Sequence, residues 1–526
     1  MLSLIVFLPL AAAVVLAAVP GSARPRVFTW SWIAVAAVDV ALVVVAWIGY
    51  DAVGALGYEE NLRWIPSAGV GYHVGVDGLS LPLLAMTSVL FLACAIYSLR
   101  QTHRVKSFVL LFLFLQTVSL GVFVALDLIL FFVYFDLSIV GMYFVIAGWG
   151  HGQARRAALM FFLYTFIGSL ALLLGFIGLY LAADPHTFDI TELARSNPLA
   201  GSGAYGALVL LAVGIGLAVK TPTVPFHTWL PPAHTEAPAA GSAILAGVLL
   251  KMGTYGFVRI AMPLLPDTWR GYAPVVVLVG VVSVLYGALV ALAQENFKRM
   301  IAYTSVNHMG YIILAIGAAG LLAGSDAQAR SLAVTGAVTQ MVSHGLITGA
   351  LFLLAGVLWN RRGSYDMGSY SGLAGPAPVF AGATGLAAFA SLGLPGFSGF
   401  IAEFQGSPRR SWPRSPSRGS TCWLPPGGGP PSARTAPLLL RSVSASAAGR
   451  CCRCSGGRCC PERDAPVLIV AVPTSGPGAA WGLPVRTIHI VSSLVAVGHI
   501  VSSLVAVGQD GFRRAAHDRG AVARWV

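Results

Sequence analysis

The chain has 526 residues, of which 56% are hydrophobic and only 10% charged, and its formal net charge is +13. Soluble domains carry about 25% charged residues, so a mean hydropathy of +0.77 excludes a soluble globular protein and indicates a polytopic membrane protein. The basic excess is local: residues 1–405 hold 18 Lys/Arg against 16 Asp/Glu, whereas 406–526 hold 15 Arg, no Lys and 4 acids. It gives no reason to expect nucleic acid as a partner.

Apolar runs of membrane-crossing length predict twelve spans, near 2–19, 28–49, 79–99, 107–125, 128–148, 157–182, 206–220, 240–262, 273–293, 300–323, 332–359 and 378–403. The first lacks a basic leader and reads as a retained span, not a signal peptide. Loops after odd-numbered spans carry Arg24, Arg26, Arg100, Arg104, Lys106, Arg155, Arg156, Lys298, Arg299, Arg361 and Arg362, while loops after even-numbered spans carry mainly acids. By the positive-inside rule the odd loops face the cytoplasm and the N-terminus lies outside. The division expected is 1–70 for the first spans, 71–405 for the main membrane domain and 406–526 for a tail.

That tail is dense in Arg, Pro, Gly and Ser, contains CCRCSGGRCC, and repeats HIVSSLVAVG at 489–498 and 499–508. The cysteines match no metal-ligand spacing. The segment reads as an aberrant or replaced C-terminus, disordered in large part.

Chemistry concentrates at Val219–Met252, VKTPTVPFHTWLPPAHTEAPAAGSAILAGVLLKM. Pro222, Pro225 and Pro231 break the helix ending at Lys220, His227, His234 and Glu236 sit in the break, and Lys251 lies mid-span in the next helix. A charge at bilayer depth costs at least ~2.5–3.5 kcal/mol, so membrane-buried ionisable groups are functional candidates. Asp136 in LILFFVYFDLSIVGMYF is expected to face Lys220 and hold it charged. His308 and His344 lie in apolar helices among hydroxyls, and Glu403 ends a span that Pro395, Gly396 and Gly399 interrupt. Two discontinuous helices in corresponding halves point to an inverted repeat and its ion path. Asp39, in the second span, has no nameable partner and reads as structural.

VKTPTVPFHTWLPPAHTEAP, LLKMGTYGFVR, IAYTSVNHMGY, QMVSHGL and LPGFSGFIAEF resemble, in order, the proton-pumping membrane subunits of respiratory complex I, a family shared with Mrp-type cation/proton antiporters. The resemblance is strong over 70–405. It implies an all-α helix bundle with two inverted five-helix repeats, discontinuous helices and fourteen spans. It places Asp136 at a family glutamate, Lys220 at the broken-helix lysine, Lys251 at the central lysine, His308 and His344 at relay positions, and Glu403 at the exit-side glutamate. The sequence departs from the family in the shorter Asp136, in Pro232 where an LPDAH-like loop has aspartate, and in lacking the last two spans.

The expected function is a proton-translocating subunit of an NADH–quinone oxidoreductase in the cell inner membrane. Its partners are the other membrane subunits, the lipid bilayer and protons. No redox cofactor is expected on this chain, since the body carries no cysteine cluster and no dinucleotide fingerprint. The alternatives are an independent Na⁺/H⁺ antiporter subunit and a non-functional product of a lost reading frame.

Overall fold

The structure is a computed structural model, and it describes residues 1–51, 55–322 and 327–406. The expectation of a disordered tail at 406–526 falls outside the described residues from 407 onward.

All twelve predicted spans are helices. They are α1 Leu2–Ala18, α2 Pro25–Ile48, α3 Ser80–Tyr97, α4 Val105–Val124, α5 Leu128–Trp149 and α6 Ala154–Ala182. After a short surface helix, α7 Ile190–Ser196, come α8 Ala204–Lys220 and the short α9 Leu230–Glu236. Then follow α10 Ala239–Leu264, α11 Pro266–Leu292, α12 Phe297–Leu321 and α13 Ala327–Arg362. The last span is split into α14 Pro378–Ser391 and α15 Ser398–Gly406. Among the described residues, nine helices are long and apolar enough to cross a membrane, and α1, α8 and α14 are shorter apolar helices. The chain is a multi-pass, mostly helical membrane protein.

One element departs from the all-α expectation. Residues 57–76, read from the sequence as a charged loop, form an antiparallel hairpin of β1 Gly57–Ile65 and β2 Val70–Val76, turned at Pro66–Ala68 and Gly69. Gly69 takes φ +64°, a left-handed conformation that glycine adopts without a Cβ penalty. The hairpin extends into the connections at its end of the bundle: Leu126 N donates to His73 O at 2.9 Å and Ile190 N to Leu126 O at 2.8 Å. The other end is closed by His151 N donating to Glu236 O at 2.8 Å and Phe297 N to Tyr365 O at 2.8 Å. Successive helices therefore run up and down between two capped ends.

Asp39 finds the partners that the sequence left unnamed. It is fully buried and accepts from Gln116 Nε2 at 2.7 Å and Ser88 Oγ at 3.4 Å. These bonds tie α2 to α3 and α4, which fits the structural reading.

His73 anchors the hairpin, its Nε2 bonded to Glu59 Oε1 at 2.8 Å and its Nδ1 to Asp189. Burial disfavours the imidazolium, but the hydrogen bonds and charges of Asp189 and Glu59 outweigh it and raise the His73 pKa. Burial would raise Asp189, yet hydrogen bonds from His73 and Thr191 hold its carboxyl below the usual range. A raised histidine stabilises below its ordinary value and loses that as pH rises through its folded value. A lowered aspartate stabilises above its ordinary value and loses that as pH falls through its folded value. The clamp is therefore strongest between about pH 4 and 6.5, the ordinary Asp and His values. Hydrogen exchange over residues 57–76, corrected for intrinsic rates, should be slowest in that window and accelerate above it. His73→Ala should abolish this dependence.

Candidate functional site

Lys220 is the last residue of α8. Pro222 cannot continue the helix, and the freed Val219 carbonyl accepts from Trp229 Nε1 at 2.9 Å. A cation in the last turn also meets the negative end of the helix dipole. The side chain is buried. Its Nζ donates to Ser138 Oγ at 2.9 Å and sits 4.6 Å above the Phe135 ring. Asp136, which follows Phe135 on α5, makes no ion pair with Lys220; its carboxylate is hydrogen-bonded to Ser169, and its Oδ1 is buried without a hydrogen-bond partner. The hydrogen-bond partner of the Lys220 ammonium is thus Ser138, with Asp136 acting on it only through space. The two charges remain near enough to act on each other.

Lys251 occupies the centre of α10, which is not regular. Two wider π-helical turns, Leu245–Leu249 and Phe257–Ala261, bracket the α-helical Leu250–Gly256 that carries it. Such turns relax the backbone ladder and occur often at functional sites. The Ala246 carbonyl, in the first of them, accepts from Lys251 Nζ at 2.6 Å, and His344 Nδ1 lies 2.5 Å from the same nitrogen. Lys251 is fully buried.

Glycines set both helix crossings. A Cβ on Gly253 would collide with Thr221 Oγ1 and the Leu217 carbonyl, so only glycine lets α10 lie against the end of α8. Gly247 and Gly345 each face the other's carbonyl, which brings α10 against α13 where His344 sits.

From His344 the polar row runs on through α12 and α15. The His308 and His344 rings stand 5.2 Å apart. His308 Nδ1 lies 3.1 Å from Gln340 Nε2 and 3.8 Å from Glu403 Oε1, and its Nε2 lies 3.3 Å from Ser391 Oγ. Gln340 Nε2 also reaches Glu403 Oε1 at 3.5 Å. Ser391 and Ser398 flank the break between α14 and α15, where Gly396 takes φ +101°; the interruption expected at Pro395 and Gly396 is present.

The candidates therefore fall into two groups. Lys251, His344, His308 and Glu403 form one chain of contacts, and Asp136 and Lys220 form another. The α8–α10 crossing lies between them, with Thr221 Oγ1 buried and unpaired there. Sequence reasoning missed Ser138 and Gln340, neutral residues that carry no charge signal in an apolar helix. It quoted His234 but assigned it no role. His234 is fully buried, stacked on Phe352 at 4.6 Å, with neither ring nitrogen hydrogen-bonded. Lys298, counted as a loop cation, is also buried, donating to Ala237 O at 2.6 Å.

Gly253→Val should lower stability by about 1–3 kcal/mol, the range for overpacking a filled interior, in thermal unfolding of the purified protein. Gly214→Val should be near neutral, because nothing lies within 4 Å of a Cβ there.

The family model described as "NADH:quinone oxidoreductase/Mrp antiporter, TM" matches residues 125–406. The NADH-quinone oxidoreductase subunit M of Rhodobacter capsulatus is 39% identical over 418 residues, covering 77% of this chain and 79% of that one. Respiratory complex I from Thermus thermophilus contains a chain similar in structure with TM-score 0.69 and 29% identity, over 77% of this chain and 81% of its own. The Mrp complex from Dietzia sp. DQ12-45-1b contains another, with TM-score 0.67 and 28% identity, over 77% and 73%. With the match spanning the broken helix, both lysines and the Glu403 end of the row, the chain belongs to the NADH:quinone oxidoreductase/Mrp antiporter transmembrane family.

Proposed function

We propose that the chain is a proton-translocating membrane subunit of an NADH-quinone oxidoreductase, of the subunit M type. Its task is to couple electron transfer in partner subunits to proton movement through its own buried row. The observation that carries this reading is the contact series Lys251–His344–His308–Glu403, a line of ionisable groups inside a helix bundle. Such groups in a membrane mark ion paths and proton relays. The family match and the subunit M relatives support the choice of complex.

In this reading Lys220 and Lys251 hold and release the proton. Lysine suits that task because its ammonium is readily deprotonated when buried, whereas arginine stays charged. His344 is within direct proton-transfer distance of Lys251. His308, oriented by Gln340 and Ser391, hands the proton on to Glu403. Between Lys220 and Lys251, water bonded to the Thr221 hydroxyl would bridge the crossing, since buried polar groups require partners. Asp136 acts on Lys220 through space, and Ser138 holds the ammonium in place.

The same reading places the chain in the cell inner membrane with its N-terminus outside, takes the two broken helices as the centres of two inverted five-helix repeats, and puts no redox centre on this chain. The other candidate is an Mrp-type antiporter subunit, favoured by the near-equal structural likeness to the Mrp complex. Co-purification separates them: flavin and iron–sulfur absorbance should accompany this chain as an oxidoreductase subunit, and none as an antiporter subunit.

Reconstituted complex carrying Lys220→Ala should oxidise NADH with proton uptake into vesicles lost, and Lys220→Arg should not restore it. Full pumping by the arginine variant would remove Lys220 from the path. Asp136→Asn should impair pumping while Asp136→Glu retains it, because glutamate keeps the carboxylate charge at one methylene more reach and asparagine removes it. Equal activities would return Asp136 to a structural role.

A further inference from the structure

A cavity of about 770 Å³ at the hairpin end lies apart from the row and has two unlike walls. One is charged and carries Asp77, Arg195 and Arg259. Arg259 donates from Nε to Tyr255 OH at 3.0 Å and from Nη2 to Asp77 Oδ1 at 2.7 Å and Ser80 Oγ at 3.1 Å. Those bonds fix the guanidinium, whose side chain is only 13% exposed, and leave Nη1 without a partner among the described residues. Arg195, exposed on α7, makes no ion pair there either; the neighbouring Glu192 accepts from Thr187 Oγ1 at 2.8 Å. Two guanidiniums thus face one carboxylate, and the wall is net positive. The side formed by α13 and α15 is mixed, with an apolar strip of Leu332, Val334, Val338 and Ile401 beside the neutral Ser331, Thr335, Thr339 and Gln405, and it carries no charged residue.

The volume falls within the ~300–1,000 Å³ of ligand sites, where apolar surfaces with a few converging polar groups are usual. A free inorganic anion would satisfy the arginines but leave the apolar strip wet. An apolar molecule would cover the strip but leave the unpartnered Nη1 of Arg259 dry. Only an occupant with a negative head and apolar chains meets both walls, and the surrounding bilayer supplies such molecules.

We propose that this cavity binds an anionic diacyl phospholipid, with its headgroup phosphate on Arg259 and Arg195 and its acyl chains along Val334, Val338 and Ile401. The bound lipid would join the hairpin-end loops and α7 to α13 and α15, the helices that carry His344 and Glu403. The proposal is independent of any proton path.

The test uses the full-length protein in nanodiscs of phosphatidylcholine doped with phosphatidylglycerol, with retained lipids counted by native mass spectrometry. One basic residue near an anionic lipid is worth about fivefold in binding. Phosphatidylglycerol should therefore be retained at least fivefold over phosphatidylcholine, and Arg195→Gln should cut that preference about fivefold. Arg195 is exposed, so its removal leaves the fold intact. Val338→Trp, which fills the acyl half, should lower retention of both lipids, while Arg270→Gln, outside the cavity, should change nothing. Equal retention of the two lipids by the unsubstituted protein would overturn the proposal. So would displacement of the bound lipid by inorganic phosphate with no effect of Val338→Trp, since a headgroup anion alone would then be the ligand. A Val338→Cys variant that forms a disulfide with the cysteines beyond residue 406 would overturn it too, by placing this chain's own C-terminal segment in the cavity.

Discussion

The burial of the Lys251 ammonium is the constraint around which the centre of this bundle is built. An unpaired charge at that depth costs at least ~2.5–3.5 kcal/mol, and no carboxylate pairs with it among the described residues. Its nitrogen rests instead on the Ala246 carbonyl and the His344 ring. The first contact requires the π-helical turn that makes the carbonyl of residue 246 available to a side chain five residues on. The second requires α13 to approach closely enough for Gly247 and Gly345 to touch. On the opposite side, Gly253 admits the end of α8 and with it Lys220. Backbone irregularity and small residues here serve one purpose: they let Lys251 meet His344, and the end of α8 that carries Lys220 lie against α10, inside an apolar body.

Beyond that centre, the polar row is made of groups that can gain or lose a proton without leaving a large unpaired charge behind. His308 is shared between Gln340, Ser391 and Glu403, so a proton arriving there has a carboxylate nearby. The glycine-marked break between α14 and α15 brings Ser391, Ser398 and Glu403 to the same place. Irregular backbone inside a membrane is tolerated where it lines such a polar interior. The two chain breaks, after Lys220 and after Ser391, therefore stand at the two ends of the candidate path.

How much of this was legible in the sequence depended on the physics of each feature. The twelve helices could be read because membrane crossing needs about 20 apolar residues, a long and redundant signal. Lys220, Lys251 and Glu403 stood out because a charge in an apolar run is rare. Ser138 and Gln340 did not, because a neutral hydrogen-bonding residue in a helix has no such contrast. Asp136 stands out as a lone carboxylate in an apolar span, but the sequence could not show that the Lys220 ammonium donates its hydrogen bond to the neutral Ser138. Residues 57–76 lie between two apolar runs of membrane-crossing length and so read as a loop. The alternation in VGYHVGV, followed back through the Gly69 turn, carried the strand signal. The π-helical turns around Lys251 carry no signature in the sequence, where LAGVL and FVRIA read as ordinary apolar helix.

The measurement that tests the central claim most directly is a double-mutant cycle on Lys251 and His344. Protons pumped per NADH oxidised would be compared in the assembled complex for Lys251→Ala, His344→Gln and the pair. If the two groups act as one unit through their direct contact, the double variant should lose no more pumping than the worse single variant. Independent losses that multiply in the double variant would contradict the account and separate Lys251 from the row.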